Sequence, residues 1–176
     1  MRALKVWTLV AVFLGAIVAA NLITTHYGVS AVYYVAFGLI GLDLITRDRL
    51  ADFWGTTRWL KMGLLILTGG AISYYLNRNA ATIAVASTIA FASSEVSEAV
   101  LYHVLRRRPW AERAPRAAIL AAVVDSVVFI SIAFGFTFEV VFLQVCCKIA
   151  GATAWTWVVA RFLPPPSMAP AAEAVA

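Results

Sequence analysis

The sequence predicts an all-α integral membrane protein with six transmembrane helices, and three observations carry that prediction. Hydrophobic residues make up 62% of the 176-residue chain and charged residues only 13%, against roughly half and a quarter in soluble domains. Apolar runs recur six times, with room for about 20 residues per crossing of a ~30 Å hydrocarbon layer. Most of the charges gather between these runs. A separate soluble domain and a disordered chain are excluded by the apolar content. A membrane β-barrel is excluded because its strands need alternating polarity, and an open sheet because it finds no backbone partners in lipid.

The runs are Val6 to Thr24, Ala31 to Thr46, Leu60 to Leu76, Ala80 to Leu105, Ala117 to Phe134 and Phe138 to Phe162. The first follows Arg2 and Lys5 and ends at His26-Tyr27-Gly28. The second gives way to a polar stretch from Arg47 to Arg58, read as a loop. Asn77 to Asn79 separates the third from the fourth, the Arg-rich stretch Arg106 to Arg116 with Pro109 and Pro115 separates the fourth from the fifth, and Gly135 to Thr137 separates the last two. Gly, Pro and Asn are the residues expected at such breaks. Arg2 and Lys5 before an apolar segment also suit a secretory signal, but the length of the run and the lack of a small-x-small exit favour a retained first span.

Residues 1–163 are read as a single six-helix transmembrane domain. Residues 164–176, which open on Pro164-Pro165-Pro166 and continue mostly in Ala, are read as a disordered tail. Three spans per half permit a three-plus-three inverted repeat, in which a shift of about 77 residues superimposes Asn21 on Glu98.

The net charge of +5 does not imply nucleic acid, because Lys and Arg sit at the span ends rather than in one solvated patch. Arg2 and Lys5, then Arg47, Arg49, Arg58 and Lys61, then Arg106, Arg107, Arg108, Arg113 and Arg116, and finally Arg161, all fall on one side. Arg78 falls on the other. By the positive-inside rule both termini face the cytoplasm. Cys146 and Cys147 are adjacent in an apolar run, where a bridge would strain the backbone, and are read as packing residues.

An ionisable side chain at the centre of a bilayer costs at least ~2.5 kcal/mol, so the polar residues inside the runs point to function. At ~1.5 Å per residue, Glu95 and Glu98 lie roughly 16 and 12 Å in from Arg106. Their spacing puts them on one helix face that Tyr102 extends. Asp125 and Ser126 lie midway along span five, Gln144 and Lys148 share a face of span six, and Asn21 adds an amide near the outer end of span one. Amides and hydroxyls here also serve as glue between helices. Lys148 neutralises at most one of Glu95, Glu98 and Asp125, leaving two carboxyl groups to be protonated, hydrated or bound. For Asp43 two readings stay open: an interior acid, or a partner for Arg47 one turn on. A metal site is not expected, since His26 lies in an outer loop and His103 beside the Arg run. No cofactor or hydrolase motif is found, and the chain is not read as an enzyme.

These residues resemble a known family. Asp48-Arg49-Leu50-Ala51-Asp52-Phe53-Trp54-Gly55 is similar to the signature following the second span in queuosine precursor transporters, the vitamin uptake transporter-like family. Ser94-Glu95-Val96-Ser97-Glu98 resembles that family's fourth-span motif, with Glu98 where an Asp is usual. Asp125-Ser126 with the apolar residues that follow resembles its fifth-span motif, Gln144 and Lys148 its sixth-span pair, and Asn21 its first-span Asn. The family's late Asp-Thr-Pro has no counterpart, since Ala154-Trp155-Thr156-Trp157 occupies that stretch.

The resemblance implies a permease of the bacterial cytoplasmic (inner) membrane, importing deazaguanine nucleobases that are salvaged for transfer RNA modification. Asn21, Glu95, Glu98, Tyr102, Asp125, Gln144 and Lys148 are the expected substrate-binding residues. A carboxylate of Glu95 or Glu98 matches the paired N–H groups of a guanine-like edge, and Tyr102 or Phe129 supplies a stacking face. Asp48 and Asp52 are expected to form a gate or a loop brace. The surplus of acids suits proton coupling, although a facilitator would need none. The expected partners are a small nucleobase-like substrate and the lipid bilayer, with no nucleic acid; a homodimer is compatible with the sequence. Two rivals remain. One is the substrate-binding subunit of an energy-coupling-factor importer, suggested by the small-residue stripe Ala11, Gly15 and Ala19. The other is a membrane-embedded enzyme or a structural protein.

Overall fold

The computed structural model describes residues 2–106 and 110–162. The chain forms α1 (Arg2–Tyr27), α2 (Val29–Val35), a π-helical turn (Ala36–Ile40), α3 (Gly41–Trp54), α4 (Arg58–Leu76), α5 (Ala81–Val104), α6 (Trp110–Ala133) and α7 (Phe138–Phe162). Six helical stretches are long and apolar enough to cross a membrane: Val6–Tyr27, Val29–Arg47, Arg58–Leu76, Arg78–Leu101, Arg116–Ala133 and Phe138–Val159. The protein is an all-α, multi-pass membrane protein with the six spans expected. The proposed tail, residues 164–176, lies outside the described residues.

Three tight connections join the spans at one end of the bundle, the hairpin end. Gly28 turns α1 into α2 with φ +62°, a left-handed conformation that glycine adopts without a Cβ clash. Asn77 Oδ1 accepts from the Asn79 backbone N–H at 3.0 Å in the turn before α5, and Gly135 (φ +87°) opens the turn before α7. The opposite, terminal end carries the start of α1 and the end of α7.

Two sequence expectations are corrected here. The polar stretch after span two is not a loop: α3 runs unbroken to Trp54, and Leu50 within it is fully buried against α1 and α4 residues such as Phe13 and Met62. The stretch contains no Gly or Pro before Gly55, so nothing breaks the helix. Arg47 therefore lies well inside a helix and in the bundle interior, 7% exposed, instead of marking a cytoplasmic loop. Cys146 is also exposed, and both cysteines are free thiols, so Cys146 does not pack in the interior as expected.

The spans form a ring in which α1 packs on the second span, on α4 and on α5, while α7 packs on the second span and on α6. α5 and α6 lie along one another, and α4 packs on α5. Among the described residues α1 packs on α4, but α5 and α7, the pair an inverted repeat would make equivalent, are not in contact. At the hairpin end Val32, Ile130 and Val141 form an apolar plug joining α2, α6 and α7. Near the terminal end Leu9, Phe13, Leu50 and Met62 join α1, α3 and α4.

Small residues set the approach of span two to α7. A Cβ at Gly41 would lie 2.6 Å from the Gly151 carbonyl carbon, and one at Gly151 would overlap the Phe37 carbonyl oxygen. Here Trp155 Nε1 donates to the Gly38 carbonyl oxygen at 2.8 Å, tying α7 to the π turn. Such turns widen a helix locally and recur at functional sites.

Candidate functional site

Inside the ring is a cavity of about 320 Å³, at the small end of the ~300–1,000 Å³ typical of ligand sites. Its wall is mainly apolar, and the polar side chains on it include Asn21 from α1, Asp43 and Arg47 from α3, Ser87 and Ser94 from α5, Asp125 from α6, and Gln144 and Lys148 from α7, five spans in all. Asn21, Asp43, Arg47, Gln144 and Lys148 are each less than 9% exposed. Phe91 and Phe129 add aromatic faces.

Helix geometry orders these groups along the membrane normal. At about 1.5 Å per residue from the hairpin end, Asn21 and Gln144 lie roughly 9 Å in, Asp125 roughly 12 Å and Lys148 roughly 15 Å. Asp43 follows at roughly 21 Å and Arg47 at roughly 27 Å. The cavity thus runs from two amides, past an ion pair, to an acid and a guanidinium. Towards the terminal end its wall includes Ile119, Thr153 and Thr156, all of them exposed.

Lys148 Nζ donates to Asp125 Oδ2, joining α7 to α6. Arg47 donates from Nη1 to Glu95 Oε1 and from Nη2 to Glu98 Oε2, the latter at 3.3 Å, joining α3 to α5. The Arg47 guanidinium carbon also stands 5.7 Å from the Phe91 ring centroid, within cation–π range. Spacing by three lets both glutamates reach one guanidinium, whose planar fork suits two carboxylates at once. Asn21 Nδ2 donates to Ser73 Oγ on α4 at 3.1 Å. Among the described residues Gln144 Oε1 is buried without a hydrogen-bond partner, as is Ser126 Oγ, which does not line the cavity.

Of the residues expected from sequence, Asn21, Asp125, Gln144 and Lys148 meet at the cavity. Glu95 and Glu98 are not on its wall and reach it through Arg47. The side chains of Tyr102, Asp48 and Asp52 lie outside the described residues. Sequence reasoning missed Arg47, Phe91 and Ser73 and left Asp43 open. The available signal was the i, i+4 pair Asp43 and Arg47 at the end of an apolar run, with no helix breaker after it.

No curated protein and no solved structure matches the chain. A family model does: residues 8–162 match the model described as "Putative vitamin uptake transporter", and the chain therefore belongs to the vitamin uptake transporter family.

Proposed function

We propose that this protein is a permease of the bacterial cytoplasmic membrane that imports queuosine precursors, the deazaguanine bases, through the central cavity, and that it is not an enzyme. The observation that carries the reading is the composition of the wall: a small, mainly apolar chamber with two amides, an Asp–Lys pair, an acid and a guanidinium at successive depths. A flat base with hydrogen-bonding edges needs such a mixture. Asn21, Gln144, Asp43 and Asp125 take N–H groups, Arg47 and Lys148 face the ring carbonyl, and Phe91 or Phe129 covers a ring face. Glu95 and Glu98 hold Arg47 in place.

With both termini in the cytoplasm, the cavity opens inward. Opening outward requires the Val32, Ile130 and Val141 plug to part while the inner ends of α6 and α7 close, a rocking motion around a fixed site. Asp43, Glu95, Glu98 and Asp125 bring carboxyl groups into the bundle beside Arg47 and Lys148, and their setting supports proton coupling, with one carboxyl group changing protonation during the cycle.

Uptake of labelled precursor by cells lacking their own importer tests the reading. The wild-type chain restores uptake, an uncoupler of the proton gradient abolishes it, and Asp125→Asn and Glu98→Gln reach the membrane but fail to transport. Normal uptake by both variants would overturn the site, and absence of uptake by the wild type would overturn the cargo.

A second reading rests on the stripe on α1. Ala11 and Gly15 are exposed, and nothing lies within 4 Å of a Cβ built at Gly15, so this face is open to a partner helix of an energy-coupling-factor importer. Copurification with a membrane coupling protein and ATPases favours that assembly, whereas transport by the chain alone in liposomes dismisses it.

A further inference from the structure

Ser73 lies on α4, outside the cavity wall, and is fully buried. Its hydroxyl donates to the Gly69 carbonyl oxygen at 2.8 Å, and its oxygen accepts from Asn21 Nδ2 at 3.1 Å. A hydroxyl has one proton. With that proton committed to Gly69, Ser73 can only accept from its other neighbour, so the Asn21 amide must turn its nitrogen towards α4. The amide's remaining end, the carbonyl oxygen Oδ1, is left to the cavity that Asn21 lines. The chain N–H···O–H···O=C also polarises along its length, which strengthens each link.

The backbones hold this arrangement. α4 presses on α1 so closely at this level that a Cβ on Gly69 would come within 2.8 Å of Ile17 Cγ2. Thr25 Oγ1 in turn donates to the Asn21 backbone carbonyl at 2.6 Å. Reversing the amide would cost the Ser73–Gly69 bond or set two acceptors against each other.

We propose that Ser73 is a positioning residue for cargo selection: by accepting one N–H of the Asn21 amide it turns the carbonyl oxygen Oδ1 to the chamber, which therefore favours a ring that offers a lactam N–H there over the same-shaped ring that offers a lone pair. The inference rests on the cargo reading above. Gln144, at the same depth, has no such clamp on its Oε1 and adapts to whichever group stands beside the lactam. Selection for N–H thus arises on a helix that supplies no polar group to the cavity itself.

A size-matched pair of probes tests this on the purified full-length protein: 7-deazaguanine and 2,6-diamino-7-deazapurine. In the second compound the ring N–H becomes an acceptor and the carbonyl becomes an amine, with the outline unchanged. Binding is measured calorimetrically for wild type, Ser73→Ala and Ser73→Thr. One lost or reversed hydrogen bond is worth about tenfold in affinity. The wild type is expected to prefer 7-deazaguanine by about tenfold or more, Ser73→Thr to keep that preference because it keeps the hydroxyl, and Ser73→Ala to cut it to about threefold or less. Should Ser73→Ala not fold, Ser73→Cys, whose sulfur accepts only weakly, is expected to narrow the preference likewise. A ratio unchanged in Ser73→Ala or Ser73→Cys overturns the role of Ser73 and leaves the cargo reading standing. A wild type that binds neither probe overturns the cargo reading, and this inference with it.

Discussion

Arg47 on α3 and Glu95 on α5 form an ion pair in the interior of the bundle, with side-chain exposures of 9% and 17%. The pair, extended by Glu98, ties the second span to the fourth across 48 residues of sequence. Desolvating both charges offsets much of their attraction, whereas removing one partner strands the other at a cost of about 3–5 kcal/mol. Glu98 softens that cost for Glu95→Gln by remaining on Arg47. We expect Glu95→Gln and Arg47→Met each to lower the melting temperature in detergent. The double variant should recover part of the loss, with a coupling of about 0.5–3 kcal/mol. Neither single variant should transport, because the guanidinium is lost or no longer held by Glu95. Strictly additive losses would show that the two side chains do not interact.

The Asp125–Lys148 pair invites a separate test. Lys148 is 3% exposed at its side chain, and Asp125 23%. Lys148→Met should therefore leave the more accessible Asp125 carboxylate partly hydrated, whereas Asp125→Asn leaves a buried ammonium without its partner. Asp125→Asn is expected to be the more destabilising of the two in a thermal melt, and both should lose binding of cargo. The reverse order of melting temperatures would contradict this account of the pair.

Span two and α7 meet at glycines, and the contact has no room to spare. Gly151→Ala places a methyl group into the Phe37 carbonyl, and Gly41→Ala places one against the Gly151 backbone. Backbone atoms cannot step aside as a side-chain tip can, so each variant should cost at least the ~1–3 kcal/mol of ordinary overpacking. Gly63→Ala, with nothing within 4 Å of the added carbon, is the control and should melt at or slightly above the wild type. Equal melting temperatures for Gly151→Ala and Gly63→Ala would refute the close approach.

Trp155→Phe keeps an aromatic ring but removes the pyrrole half of the indole and with it the Nε1–H that reaches the Gly38 carbonyl oxygen. The expected cost is about 1 kcal/mol, with faster amide hydrogen exchange confined to residues 36–41. Unchanged exchange there would mean that the π turn holds its shape without the indole.

The number of spans and their limits were legible because lipid imposes a length and an apolar content on each helix, and Gly28, Asn77 and Gly135 punctuate the runs. Asn21, Asp125, Gln144 and Lys148 were legible for the converse reason: each interrupts an apolar run where a polar group is costly. Arg47 was not, because a basic residue at the end of a run looks the same whether it faces water or turns inward to Glu95. Which way it turns depends on where α5 places Glu95 and Glu98, and that is a tertiary fact. Ser73 was hidden for a similar reason. A serine in a membrane helix ordinarily bonds its own backbone, as Ser73 does to Gly69, and nothing local shows that it also meets Asn21, 52 residues away.

On this account cargo occupies the chamber lined by α1, the second span, α5, α6 and α7. The direct measurement is thiol protection in a chain with Cys146 and Cys147 replaced by Ser. A cysteine is placed at Ala122 on the cavity wall or, as control, at Ala71 in the apolar groove between α4 and α5. Saturating 7-deazaguanine should slow alkylation of the Ala122→Cys chain by about tenfold or more, the effect of one well-populated bound state, and leave the Ala71→Cys chain unaffected. Equal alkylation rates with and without the base at Ala122→Cys, in protein shown to bind it, would place the cargo elsewhere.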